Sequence, residues 1–403
     1  MSRRYDVVVV GGGIHGVGVA QAAAARGHSV LLLEKHALAS GTSSRSSKLI
    51  HGGLRYLETG QLGLVFESLS ERTRLLRIAP DLVRLQRFHL PVYHTTRRRP
   101  WQLTVGLSMY ALLACGRRGA GFGWVPRRQW GELDGLRTDD LQAVLYYHDG
   151  QTDDARLTAA VMRSARELGA ELALPAELVA IQLRTPGTME SCIVHYEHAG
   201  RQQECATRVV VNAAGPWVNG VLERVHPRPP HRTVDLVQGT HILLTSTVNR
   251  GIYYVESPRD GRAVFIMPWY GKTLVGTTET RYRGDPDDVH PLGSEVHYLG
   301  RIVDHYFPHY RASMPGAITG AFAGVRVLPE GTGHAFHRPR ETVIDPYPGP
   351  ALPQLITIYG GKLTGYRATA EKVMARLQTA LPGRRQVADT RTLPLVPATA
   401  EGQ

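Results

Sequence analysis

The sequence predicts a two-domain α/β protein, and three observations predict it. The opening stretch VVVVGGGIHGVGVA, residues 7–20, sets a run of valines, consecutive glycines and an alanine-rich segment in a row, which is the order strand, tight turn, helix. At 403 residues the chain exceeds what one hydrophobic core usually serves. Short strand-like runs (THILLT, GIYYVE, AVFIMPW, TLVGTT) fill residues 234–285 at the spacing of an antiparallel sheet.

Residues 5–10 read as a buried parallel strand, 14–26 as a helix and SVLLLE, 29–34, as a second strand, together a βαβ unit. GTSSRSSKLIHGGLRYLE, 41–58, is a loop by composition. From Leu62 to Ile78 apolar residues recur at helical spacing, and Pro80 ends that helix. WQLTVGLSMYALLAC, 101–115, lies between Arg97, Arg98, Arg99 and Arg117, Arg118; its length suits a buried helix or one in a membrane interface. Burial is the favoured reading, because basic flanks also occur on ordinary solvated surfaces. A helix with an acidic start and a glycine stop then opens 152–174, followed by a strand, so the α/β alternation resumes. The segment 292–307 reads as a helix, and QLITIYGGKLTGYRATAEKVMARLQTAL repeats the strand, glycine, helix layout of the opening stretch. The expected organisation is a nucleotide-binding domain from 1–90, 150–225 and 320–385, a substrate domain from 91–149 and 226–319, and a frayed tail at 386–403.

Lys and Arg number 47 against 35 Asp and Glu, a net +12 that favours anionic partners, although an arginine bias also follows proteome composition. Nucleic acid is not expected as a partner, since the arginine clusters are short and lack interleaved aromatics. Cys115, Cys192 and Cys205 show neither paired spacing nor an even count, so a reducing compartment is expected and neither a disulfide framework nor a metal site. The N-terminus leads straight into a strand without an apolar signal region, and no run reaches the roughly 18–20 apolar residues that span a bilayer. A cytoplasmic protein is expected, with peripheral contact at the inner face of the membrane as a further expectation.

Gly11, Gly13 and Gly16 form G-x-G-x-x-G between a strand and a helix, the context in which that pattern binds a dinucleotide. The pyrophosphate needs a tight turn, bare backbone and the positive end of a helix. Glu34, closing the second strand, is placed for the adenosine ribose. An irregular Ser/Gly loop carrying Lys48 and His51 follows at once, where a nicotinamide enzyme would continue with regular βα units; this selects FAD. Gly360 and Gly361 lead into a helix whose positive end suits the charge of reduced flavin.

The segments GGGIHGVG, GTSSRSSKLIHGGLRYLE, DDARL (153–157), VNAAGPWV (211–218), MPWYGKTLVGTTE (267–279), GVRVL (324–328) and GGKLTGYR (360–367) occur in the order seen in FAD-dependent glycerol-3-phosphate dehydrogenases. The chain resembles that family, within the group that includes D-amino-acid and sarcosine oxidases, from about residue 5 to 395. The resemblance implies a Rossmann-like FAD domain with an antiparallel-sheet substrate domain. It implies FAD held by the glycine motif and Glu34, with Ser43, Ser44, Lys48 and Leu49 around the ring and Gly361, Lys362, Leu363 and Thr364 closing over its pyrimidine side. It also implies a substrate pocket of Arg55, Tyr56, Arg326, Arg340 and Lys362. His15, Ser47, Gln238 and Val327 depart from the family's Asn, Gly, Lys and Pro, and the family's C-terminal helical domain has no counterpart after TLPL at 392–395.

The expected activity is oxidation of sn-glycerol 3-phosphate to dihydroxyacetone phosphate, with electrons passing to an acceptor such as quinone or oxygen. His51 is the leading base candidate, because its unperturbed pKa lies near working pH. Arg326, inside an apolar run where a lone cation would be costly, is placed to steady a developing alkoxide. The alternative is an amine or 2-hydroxy-acid oxidase of the same fold; three or more cations on the substrate favour phosphate, a single arginine favours carboxylate. A noncatalytic basic flavoprotein is the reading from outside the enzymes.

Overall fold

The computed structural model describes residues 3–58, 60–329 and 342–397. Along the chain, β1 (Arg3–Val10), α1 (Ile14–Ala25) and β2 (Val30–Leu33) precede β3 (Leu49–Ile50), α2 (Leu62–Ile78), β4 (Val83–Tyr93), α3 (Pro100–Leu113) and β5 (Gly123–Trp124). Next come β6 (Leu141–Thr152), α4 (Asp154–Glu167), β7 (Glu171–Ala173), β8 (Ala176–Leu183), β9 (Cys192–His198), β10 (Arg201–Asn212), α5 (Val218–Leu222) and β11 (Val225–His226). The remainder is β12 (Val234–Leu244), β13 (Ile252–Glu256), β14 (Ala263–Trp269), β15 (Lys272–Gly276), β16 (Thr280–Tyr282), α6 (Gly293–Tyr306), β17 (Ile318–Pro329), β18 (Val343–Tyr347), β19 (Leu355–Tyr359) and α7 (Tyr366–Arg376).

The strands form two sheets. In the first, β1 lies between β2 and β10, parallel to both, and β10 pairs antiparallel with β9 through its first half before running parallel to β19 at its end. Alternation along β1 explains its two-sided burial: Val7 and Val9 pack with α1, α4 and α7, whereas Val8 and Val10 pack with Tyr196 and the α5 residues Val218 and Leu222. In the second sheet β12 pairs along its length with β17, and β4 with β6. One of its cores holds Leu299, Ile302 and Val303 of α6, and another holds Val65 and Leu69 of α2 with Leu107 and Tyr110 of α3.

Three expectations change. Residues 83–90 and 320–329 were assigned to the nucleotide domain, but β4 and β17 lie wholly in the second sheet, because each spends its backbone hydrogen bonds on a partner there. The helix over 101–115 is buried on one side only: α3 puts Leu107 and Tyr110 into a core, while Trp101 is 66% and Leu112 77% exposed. Over its described residues, 386–397, the tail is not frayed. The amides of Val387 and Ala388 donate to the Ala25 carbonyl, Leu395 N–H donates to the Ile78 carbonyl, and the Leu395 side chain is buried.

Candidate active site

The turn after β1 sits at the C-terminal ends of the parallel strands, where α/β sheets bind ligands. Gly11 has φ +107, and a Cβ there would lie 2.8 Å from the Ala213 carbonyl oxygen; on Gly16 it would lie 1.9 Å from the Gly11 oxygen. Both positions therefore require glycine. Gly13 caps α1 without a side chain, and the first turn carries no acid, so the positive helix end is left for a ligand. Ile14 N–H donates to Ser43 Oγ at 2.9 Å, joining this turn to the Ser/Gly loop. Glu34 accepts from the Gly12 amide at 2.6 Å and the His36 amide at 2.8 Å, which fixes its carboxylate on the cavity wall.

That cavity has a volume of about 660 Å³, within the range of small-molecule sites. From the loop, Ser43, Ser46, Ser47, Leu49 and His51 line it; Ser44 and Lys48 do not. The expected ring contact by Lys48 gives way to a buried ion pair, with Nζ 2.6 Å from Asp154 Oδ1 and also bound to the Ser44 carbonyl. Asp154 accepts as well from the Ser46 amide at 3.0 Å and the Ser46 hydroxyl at 2.6 Å. A buried ammonium needs such a partner, and the pairing turns it away from the cavity. From the other end of the chain, Gly361 has φ +113, and its Cα faces His15 so closely that a Cβ would lie 2.1 Å from Nε2. Burial pushes His15 down to about 4. Gly361, Lys362, Leu363 and Thr364 all line the cavity.

Arg326, Lys362, Tyr56 and His51 line the same space. Lys362 Nζ lies 3.6 Å from the centre of the Tyr56 ring, a cation–π contact. Arg326 is not a lone cation in an apolar strand: its Nη2 is 3.2 Å from the carboxylate of Glu279. Arg55 lies in the 3₁₀ turn Leu54–Leu57, with its side chain outside what is described, and Arg340 lies outside the described residues. Sequence reading passed over His241. It lines the cavity, with Nε2 3.0 Å from Ser47 Oγ and its ring stacked on Phe322 at 5.0 Å. Burial first, then Lys48 and Arg326, push it down to about 3, so it is neutral at working pH. Its only sequence signal was a histidine inside a strand-like run. Of the four departures, His15, Ser47 and Val327 line the cavity, whereas Gln238 is buried elsewhere, donating to Glu295 at 2.7 Å and the His290 carbonyl at 3.0 Å.

These residues fit FAD. Bare backbone at Gly11–Gly13 and the uncapped end of α1 suit a pyrophosphate, Glu34 suits ribose hydroxyls, and the space continues to the Gly361–Thr364 loop. Among the described residues no group of His, Cys, Asp and Glu side chains is arranged to hold a metal ion.

The sequence matches the family described as FAD dependent oxidoreductase over residues 6–370. It is 38% identical over 385 residues to a glycerol-3-phosphate dehydrogenase of Pseudomonas aeruginosa, a match covering 93% of this chain and 72% of that protein. It is 36% identical over 393 residues to D-erythritol 1-phosphate dehydrogenase of Brucella abortus, covering 94% and 74%. The fold superposes on the glycerol-3-phosphate dehydrogenase of Bacillus halodurans, solved in complex with FAD, with a TM-score of 0.73 at 27% identity, covering 98% of this chain and 68% of that one. With the glycine turn, Glu34 and the C-terminal loop all on one cavity, the chain belongs to the FAD dependent oxidoreductase family.

Proposed function

We propose that the chain oxidises sn-glycerol 3-phosphate to dihydroxyacetone phosphate, C2 giving up a hydride and its hydroxyl a proton. Bound FAD supplies the hydride acceptor at its ring nitrogen N5. Gly11, Gly13 and Gly16 admit the pyrophosphate and Glu34 holds the ribose. Ser43, Leu49 and the Gly361–Thr364 loop flank the ring, while Ser44 and Lys48 act indirectly by ordering the loop. Arg326, Lys362 and Tyr56 hold the substrate, with Arg55 and Arg340 as further candidates for its phosphate. His51 takes the hydroxyl proton and Arg326 steadies the charge that builds on that oxygen. An acceptor such as a quinone or oxygen completes turnover.

What carries this reading is that a dinucleotide cradle and the side chains of Arg326, Lys362 and His51 line one cavity, in a chain whose relatives are named as polyol-phosphate dehydrogenases. Lys362, in addition to Arg326, argues against a carboxylate held by a single arginine. The relative named D-erythritol 1-phosphate dehydrogenase favours a second reading, a longer polyol phosphate in the same site. Anaerobic mixing with each compound tests both: glycerol 3-phosphate bleaches the flavin absorbance and amino or 2-hydroxy acids do not. Bleaching by an amino or hydroxy acid alone overturns both readings; bleaching by erythritol 1-phosphate alone selects the second.

The outward face of α3 is the basis for peripheral membrane contact at the cytoplasmic side. Trp101, Val105, Met109 and Leu112 are exposed there, with Leu62 and Phe66 of α2 exposed as well, and the Arg117 guanidinium lies 5.0 Å from the Phe66 ring. Apolar side chains flanked by arginines fit an anionic lipid surface. No described helix is long and apolar enough to cross a membrane.

A further inference from the structure

We propose that Tyr110 is a positioning residue for His51, an inference that rests on the proposed role of His51 as base. Tyr110 is one of the two side chains that α3 buries. Its hydroxyl accepts the Gly52 N–H at 2.9 Å and donates to Asp149 Oδ2 at 2.7 Å. Asp149 Oδ1 in turn binds Arg72 Nη1 at 2.6 Å, and Arg72, fully buried, donates also to the carbonyls of His148 at 2.9 Å and Arg118 at 3.4 Å. The phenol is thus the last link of a buried chain, Arg72 to Asp149 to Tyr110 to Gly52, that begins on α2 and ends on the backbone next to His51.

The neighbouring amide is held from another element. His51 N–H donates to Thr364 Oγ1 at 3.0 Å, so two consecutive amides of the loop are gripped by hydroxyls from α3 and from the C-terminal loop. The seating is tight enough to explain the glycines of HGG. A Cβ on Gly52 would lie 2.4 Å from the Tyr110 oxygen and 2.6 Å from Leu69 Cδ2; Gly53 has φ +78, and a Cβ there would lie 2.2 Å from the Tyr56 ring. Burial pushes the phenol well above its ordinary pKa, so it stays protonated and keeps donating to Asp149. A buried ion pair adds little net stability, but it gives direction: the Tyr110 oxygen is aimed by a carboxylate that is itself aimed by a guanidinium. The imidazole of His51 stands on the backbone this chain fixes.

Tyr110→Phe keeps the ring and its edge contact with Tyr147, whose centroid is 5.8 Å away, while leaving Gly52 N–H and one Asp149 oxygen without that partner. In the FAD-loaded variant we expect the peptide covering residues 48–58 to exchange its amide hydrogens about tenfold faster than wild type, with distant peptides unchanged. We expect kcat on glycerol 3-phosphate to fall about 10- to 100-fold with a smaller change in KM, and the acid limb of the kcat/KM pH profile to move. A merely structural role for Tyr110 leaves that limb in place. Unchanged exchange at 48–58, or an unmoved pH profile with kcat near wild type, overturns the proposal. Should the variant fail to fold, exchange in the wild-type holoenzyme decides: protected His51 and Gly52 amides support the clamp, and amides exchanging as fast as exposed ones overturn it. The exchange readout needs no substrate, so failure of glycerol 3-phosphate to bleach the wild-type flavin would count against the proposed function and not against the clamp.

Discussion

Two sites beside the cavity, His241 and the Lys48–Asp154 pair, carry measurable consequences of burial. His241 is held near 3 against an ordinary value of 6.5. A histidine whose folded pKa is depressed contributes its stability fully above the unfolded value, and that contribution is lost as pH falls through the window between 6.5 and about 3, because the unfolded chain takes up the proton first. Urea denaturation of the wild type should therefore show stability falling on acidification in this window by up to about 1.4 kcal/mol per pH unit from this group. In His241→Asn that component is absent. Lys48 and Asp154 supply the second case. Asp154→Asn leaves a buried ammonium without its counter-charge and should cost about 3–5 kcal/mol in chemical denaturation, whereas Lys48→Met with Asp154→Asn together should recover much of the loss. Residues whose task is local were legible in the sequence: Gly11, Gly16 and Glu34 are read from their own neighbours in the chain. Lys48 and Arg326 were only half legible, since their partners Asp154 and Glu279 come from other elements and no spacing rule links them.

Elements with a clean period were legible. α2 and α6 follow their apolar spacing, and the strand, glycine, helix layout correctly marked both β1–α1 and β19–α7. α3 resisted because its apolar residues run around the whole helix, which specifies no buried face; the fold buries Leu107 and Tyr110, packs Leu103 and Leu113 partly against the same core, and leaves Trp101, Val105, Met109 and Leu112 outward. If that face rests on lipid, Trp101→Glu with Leu112→Glu should abolish cosedimentation with phosphatidylglycerol vesicles at low salt while leaving FAD absorbance intact. Sedimentation unchanged by the two glutamates would remove α3 as the contact. β17 marks the limit from the other side: its strand character was readable at GVRVL, but its sheet was not, because pairing partners are set by tertiary register, and β4 was not read as a strand at all.

At the scale of the whole molecule, the cavity draws on α1, the Ser/Gly loop, the turn after β10, the strands β12 and β17 of the second sheet and the C-terminal loop. A ligand that bridges so many parts binds the folded chain and not the unfolded one. Thermal unfolding of the FAD-free protein should thus become concentration-dependent on adding FAD, with about 2.7 kcal/mol gained at a hundredfold excess over Kd. A midpoint that ignores added FAD would contradict the cradle at Gly11–Gly16. The discontinuous make-up of both sheets was expected from the sequence, while the sheet that β4 and β17 join was not, since their partners are set by tertiary pairing.

The contact between His15 and Gly361 has a consequence for biosynthesis. One wall of the cradle is made long before its facing wall emerges from the ribosome. A nascent chain can shape the opening βαβ unit early, yet it has nothing to close over the cofactor until the Gly361 loop arrives. Flavin loading is thereby expected to wait until that loop has been made, and a chain cut before it is expected not to retain the cofactor.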